Sequence, residues 1–175
     1  MNPAPGYELA VRPFNAFSTG FGGERFYRVY QSGDYLLFVT YQGRSKWQVL
    51  SFQFGLLGAL IWALMRRSFE RKRDALLAEM DQAHPNALME RDKNNFAVHR
   101  AQLTAQEVDQ AGFFKRGASA AEWKLTTPEK GPLVLQLPTP DDVHTLLQTL
   151  PRFCPQPINV KVAWNEAKKR FLKPS

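Results

Sequence analysis

Residues Trp47–Met65 form a run of 19 positions without a formal charge, and its later part, Phe54–Met65, is apolar all round. Directly behind it stand Arg66, Arg67, Arg71, Lys72 and Arg73. A chain with such a run has four ways to place it. A helix that spans a bilayer needs ~20 apolar residues, and Gln48, Ser51 and Gln53 weaken the first third of this one. A shallow, interfacial insertion needs fewer, and the basic cluster would then sit among anionic head groups. A helix buried under a sheet could use Gly55, Gly58, Ala59 and Ala63 to let neighbouring backbones come close. Gly55, Ala59 and Ala63, four residues apart, could instead pack on a second copy of the chain. One argument tells against spanning. An isolated hairpin is marginal in water, so strands before the run are expected to pair with strands after it, which a bilayer between them would forbid.

The flanking sequence reads as sheet. Arg25–Gln31 and Tyr35–Gln42 are rich in Tyr, Phe and Val around Gly33–Asp34, a hairpin signature. In the first of these strands Phe26, Arg28 and Tyr30 share one face and Tyr27 and Val29 the other. The uncharged run continues as an amphipathic helix to about Asp81, with Leu76, Leu77 and Met80 at helical spacing, and His84-Pro85-Asn86 breaks it. Asn95–Ala101 reads as a strand, while Gln102–Val108 fits neither helix nor strand clearly. Ala121–Thr127 and Leu133–Leu137 flank a turn at 128–132. A helix follows from Pro140 to Leu150, capped by Asp141 or Asp142, with Val143, Leu146, Leu147 and Leu150 as its apolar stripe; Pro151 and Pro155 end it. Ile158–Trp164 reads as a final strand with Ile158, Val160, Val162 and Trp164 inward. Residues 1–24, rich in Pro and Gly, read as an irregular lead-in with a short extended piece at Tyr7–Val11, and Met1–Leu9 lacks the pattern of a secretory signal. Residues 166–175 read as a frayed basic tail. The expected fold class is therefore α+β: a single domain over 25–165, a bent antiparallel sheet with a long apolar and amphipathic helix inserted over 48–93, and a C-terminal helix.

Little in the chain offers catalytic chemistry. His84, His99 and His144 are far apart and fit no metal-binding spacing. Cys154 is the only cysteine, so a disulfide within the chain, a CxxC pair and a Cys-rich zinc site are all excluded. It reads as a structural thiol. There is no GxSxG elbow, P-loop or GxGxxG motif, and Asp141–Asp142 suits a helix cap better than a pair of acid/base carboxylates. A non-enzymatic protein is expected, with neither cofactor nor metal. A deep polar pocket around His99 or His144 would argue otherwise. The formal net charge of +7 favours an anionic partner. No recognition helix or aromatic RNA-binding strand motif is present, which disfavours nucleic acid.

Two stretches carry a family likeness. Arg25–Phe38 (RFYRVYQSGDYLLF) looks like the opening strand–turn–strand of bacterial pleckstrin-homology-like domains, and Asn94–Leu103 (NNFAVHRAQL) is similar to a strand found in many of them, with His99 where a proline is usual. The resemblance implies a split barrel closed by one helix, and a non-catalytic module that binds lipid head groups or peptides. The inserted helix and the strand after the C-terminal helix depart from that pattern.

The functional expectation is a binding module at the cytoplasmic membrane surface, peripheral to its inner face. Arg66, Arg67, Arg71, Lys72 and Arg73 would contact anionic lipid and Trp62 would be the apolar anchor. The bland counterpart is a solvated helix face whose cations pair with Glu70, Asp74 and Glu79. The alternative from another class is a soluble protein-interaction or homo-oligomerisation domain using the face of Gly55, Ala59 and Ala63.

Overall fold

The computed structural model describes residues 12–20, 23–43, 55–112, 119–128, 131–154 and 157–174. The piece expected at Tyr7–Val11, the first third of the uncharged run and residues 129–130 of the turn at 128–132 lie outside them. The described elements are β1 (Phe14–Gly20), β2 (Gly23–Ser32), β3 (Tyr35–Gly43), α1 (Gly55–Gln82), α2 (Pro85–Glu90), β4 (Phe96–His99), a 3-10 turn (Arg100–Gln102), β5 (Ala105–Gln110), β6 (Ala121–Thr127), β7 (Gly131–Leu137), α3 (Pro140–Phe153), β8 (Asn159–Val160), β9 (Ala163–Asn165) and β10 (Arg170–Leu172). Among the described residues eight strands form one sheet in the order β4-β3-β2-β1-β7-β6-β5-β8, and β9 and β10 form a second, small one.

The β2–β3 hairpin forms where the Tyr- and Val-rich stretches place it. Ser32 pairs with Tyr35 across a two-residue loop. Gly33 takes φ +55° there while Asp34 stays out of the left-handed region. That is the glycine-first, type II′ arrangement, which matches the twist of the flanking strands.

Strand alternation then sorts the side chains. Phe14 and Ala16 of β1, Tyr27 and Val29 of β2, Leu36 and Phe38 of β3, Val98 of β4, Val108 of β5, Trp123 and Leu125 of β6 and Leu135 and Leu137 of β7 all enter one buried cluster. In the sheet order β3 and β6 are four steps apart, roughly 19 Å across a flat sheet at ~4.8 Å per strand. Yet the Phe38 ring stacks on Trp123 with centroids 5.9 Å apart. The sheet therefore curls, with this apolar face inside. From α3, Val143, Leu146, Leu150 and Phe153 join the same cluster. Each large apolar side chain buried this way contributes about 1.5–3 kcal/mol.

These findings overturn the expected fold class. The described chain is mostly sheet, and the sheet is mixed rather than antiparallel: β8 runs parallel to β5. The α+β arrangement built on a long inserted apolar helix gives way because the strands, not that helix, supply the core. Among α1 residues whose side chains are described, only Met80 is buried. Other expectations change with it. The lead-in contains β1, an interior strand paired with both β2 and β7. Its Pro and Gly content hid an alternation in which Phe14 and Ala16 face the core. Gln102–Val108 resolves into the end of the 3-10 turn and, from Ala105, strand β5. The cap of α3 is Thr139, whose Oγ1 accepts from Asp142 N at 3.2 Å while Asp142 Oδ2 accepts from Thr139 N at 3.2 Å. The helix passes through Pro151 to Phe153, since a proline so near the end removes few backbone bonds. The single last strand splits into β8 and β9, and Val160, expected inward, is 44% exposed. The tail is not frayed throughout: Arg170–Leu172 pairs with β9 and buries Phe171.

Candidate functional site

The predicted site residues lie on α1, and how that helix is held decides what they can reach. Its last turns carry Leu76, Leu77 and Met80, which pack with Tyr30, Leu37, Val39, Tyr41 and Leu88 in a second, smaller cluster on the outer face of the sheet. Beside this contact lies a charged latch. Arg28 Nε and Nη2 donate to the two Asp81 carboxylate oxygens at 3.1 and 2.8 Å, and Tyr30 Oη donates to Asp81 Oδ1 at 2.9 Å. Arg28 Nη1 also reaches Asn15 Oδ1 at 3.1 Å. The paired geometry makes these among the stronger hydrogen bonds. Burial, together with the bond to Asp81 and its negative charge, pushes the Tyr30 hydroxyl pKa well up. The sequence reading missed the latch, although a signal was present: an arginine between Phe26 and Tyr30 on one strand face needs an anionic partner.

Upstream of this foot Phe69 and Glu70 are half-buried. Arg71, Lys72, Arg73, Asp74 and Ala75 are all exposed. Five consecutive helical residues point in every direction around the axis, since each advances about 100°. Phe69 and Glu70 continue the side of the helix that carries Leu76, Leu77 and Met80, so Arg67, Arg71 and Lys72 lie on the side away from the sheet. Arg67 is also exposed.

The predicted site residues are distributed as follows. Arg67, Arg71, Lys72 and Arg73 lie together on the open stretch. Trp62 and Arg66 lie in α1, as do Gly55, Ala59 and Ala63 at one-turn intervals; their side chains are outside the described set. The pairing expected of a merely solvated face holds only in part. Arg73 binds Asp74 at 3.0 Å, but Glu79 pairs with Arg91, beyond α2, at 3.4 Å. Arg67, Arg71 and Lys72 have no salt bridge among the described residues.

The three histidines and the cysteine each make structural contacts. His84 Nδ1 accepts from Asn86 N at 3.3 Å and caps α2. His99 Nδ1 accepts from Ala101 N at 3.2 Å, capping the 3-10 turn. His144 packs its ring against Trp164 and Phe171, with centroids 5.4 and 5.0 Å away. Cys154 takes a hydrogen bond from Gln106 Nε2 at 2.6 Å, and burial raises its pKa, so the thiol stays protonated rather than becoming a nucleophilic thiolate. On the outer face of β5 and β6, Glu107 is held by Lys124 at 2.8 Å and Lys161 at 2.6 Å. Their hydrogen bonds draw its pKa down to about 2. Among the described residues no three or more metal-ligating side chains gather, and no helix is long and apolar enough to cross a membrane.

No family model, curated protein or solved structure matches the chain. The pleckstrin-homology likeness thus rests on its two short stretches alone.

Proposed function

We propose that the protein is a non-enzymatic binding module that docks on an anionic membrane surface through α1, at the cytoplasmic face. One observation carries the reading: Arg67, Arg71 and Lys72 of α1 are exposed and are left without salt bridges among the described residues. Exposed cations directly behind the apolar sequence Gly55–Met65 suit a phospholipid head-group layer. Basic residues flanking an apolar segment also favour the cytoplasmic side. Each such cation contributes about 1 kcal/mol near an anionic leaflet. Three together give on the order of a hundredfold in affinity. The latch between Arg28 and Asp81 fixes the foot of the helix, so the docked sheet would be carried at a set orientation.

The test is flotation of the full chain with phosphatidylcholine vesicles and with vesicles containing phosphatidylglycerol, at low and high salt. Binding that requires the anionic lipid and weakens with salt, and that the triple variant Arg67→Glu, Arg71→Glu, Lys72→Glu loses, is the expected result. Failure to float with either lipid would overturn the reading. A salt-resistant dimer that ignores vesicles would favour the rival, self-association through Gly55, Ala59 and Ala63.

A further inference from the structure

The hairpin of β9 and β10 carries a second cationic surface, and we infer that its tip is a docking point for an acidic protein segment. None of the α1 residues takes part, so this surface stands apart from the membrane reading. Residues 161–173 contain five cations: Lys161, Lys168, Lys169, Arg170 and Lys173. Three of them are engaged within the chain. Lys161 and Lys173 tie the base of the hairpin to β5, through Glu107 at 2.6 Å and Asp109 at 3.4 Å. Lys169 holds Glu166 at 2.8 Å. Lys168 and Arg170 are exposed and make no salt bridge among the described residues.

Two features make the tip a presented surface rather than a loose charged turn. It is fixed from beneath. Trp164 and Phe171 pair across the two strands, with ring centroids 5.2 Å apart, and both rings pack on His144 of α3 at 5.4 and 5.0 Å. Alternation along β10 then sets Arg170 on the opposite side from Phe171, facing away from α3. Lys168 N pins the turn by donating to Asn165 Oδ1 at 2.9 Å. The second feature concerns Glu166, the one acid among residues 165–170. Both its oxygens are engaged, by Trp164 Nε1 at 2.9 Å and by Lys169 Nζ at 2.8 Å. Lys169 makes that contact from φ +49°, a left-handed conformation that glycine adopts more readily. A lysine at a strained position thus keeps the acid of the tip on internal partners, and Lys168 and Arg170 are left for an outside anion. Carboxylates suit them, since the Arg guanidinium fork pairs with a carboxylate through two hydrogen bonds. Two free cations are few for a nucleic-acid backbone, whose partners neutralise several phosphates at once. Residues 165–170 also lack a large apolar side chain that could enter a lipid layer.

Fluorescence anisotropy of the full chain with a labelled Glu/Asp-rich peptide tests this, at about 0.15 M salt, where exposed charges more than ~8 Å apart are largely screened. Lys168→Glu with Arg170→Glu should weaken binding about tenfold, the loss of two exposed ion pairs. The charge-matched variant Arg67→Glu with Arg71→Glu should stay within about twofold of the parent. Equal losses in the two variants would overturn the inference, leaving only the general attraction of a basic protein for acids. Lys169→Gly relieves the strained conformation but frees Glu166, so binding should fall about threefold with no loss of thermal stability. Unchanged binding in that variant, or no binding of the peptide by the parent chain, would equally overturn it. Tighter binding of a single-stranded oligothymidine than of the peptide, lost in the Lys168 and Arg170 variant, would overturn it in favour of nucleic acid. All the substituted side chains are exposed, and retained β-sheet circular dichroism certifies each variant.

Discussion

The two faces of the same curled sheet are held by different physics. The inner face is closed by apolar contact: Trp123 is fully buried between Phe38 and Phe14, with ring centroids 5.9 Å from each, and α3 adds four side chains at 0–2% exposure. The outer face carries α1 on a small cluster and one charged latch. Apolar burial has no preferred direction and grows with area, so the inner face behaves as one cooperative block. A bidentate ion pair holds a single geometry, which suits a helix foot that must be positioned. The difference suggests that stability of the domain and presentation of α1 can be perturbed separately.

The strongest way to break that division is to empty the inner face. Trp123→Ala should cost about 3–5 kcal/mol in urea unfolding, because the ring leaves a cavity among strands that cannot all collapse onto it. A loss no larger than that of Met80→Ala, which strips the main outer-face contact of α1, would mean that the two faces form one core after all.

The latch comes next. Asp81→Ala leaves Arg28, whose side chain is only 12% exposed, without its carboxylate partner. Since Asp81 itself is 31% exposed, the expected cost is about 1–3 kcal/mol, below that of a fully buried pair. The informative readout is local. Hydrogen exchange should rise over residues 76–82 while β1, β2 and β6 keep their protection. Global loss of protection would show that the latch is part of the main core.

A smaller effect sharpens the inner side of the comparison. Thr139→Ala should cost about 1 kcal/mol through loss of the α3 cap. Asp142 also accepts from Asn15 N at 2.7 Å, so the same box ties α3 to β1. Thr139→Ser should recover most of the loss, as measured by thermal unfolding of the two variants side by side.

How much of this was readable beforehand follows the same divide. Period-two alternation marks the β2–β3 and β6–β7 hairpins, and the stripe Val143–Leu146–Leu150 marks α3, because each burial pattern is local in sequence. β1 was hidden because its pattern sits among prolines and glycines that read as loop. Its strand character is settled by pairing with β7, more than a hundred residues away in sequence. The C-terminal strands failed for the opposite reason. Ile158–Trp164 alternates well on paper, but β8 joins β5 in parallel for only Glu107–Asn159 and Val108–Val160, and the chain then turns to pair with Arg170–Leu172. The candidate site was legible as composition, an apolar run followed by cations. Which of those cations face away from the sheet needed the position of the docking foot, which depends on Asp81 meeting Arg28 across 53 residues.

The outer face has a second polar attachment, and pH separates it from the apolar interior. Glu107 accepts from Lys124 and Lys161, bridging β6 and the segment after β8, while Asp109 sits 3.4 Å from Lys173 at the C-terminal end. The hydrogen bonds from the two lysines hold the Glu107 pKa down at about 2, against an ordinary value of 4.5. A carboxylate whose folded pKa is depressed stabilises the fold above its unfolded pKa. That contribution fades as pH falls through the interval from about 4.5 to about 2. Because Lys124 and Lys161 are 41% and 44% exposed, solvent screens the pairs, and the contribution at neutral pH should be no more than about 1 kcal/mol. Comparing the chain with its Glu107→Gln variant in urea, the stability gap should be constant from pH 7 to 5, narrow below that, and shrink further at high salt. A gap that stays open at pH 2 would mean Glu107 acts by packing rather than by charge, and the outer face would then be held by the same physics as the inner one.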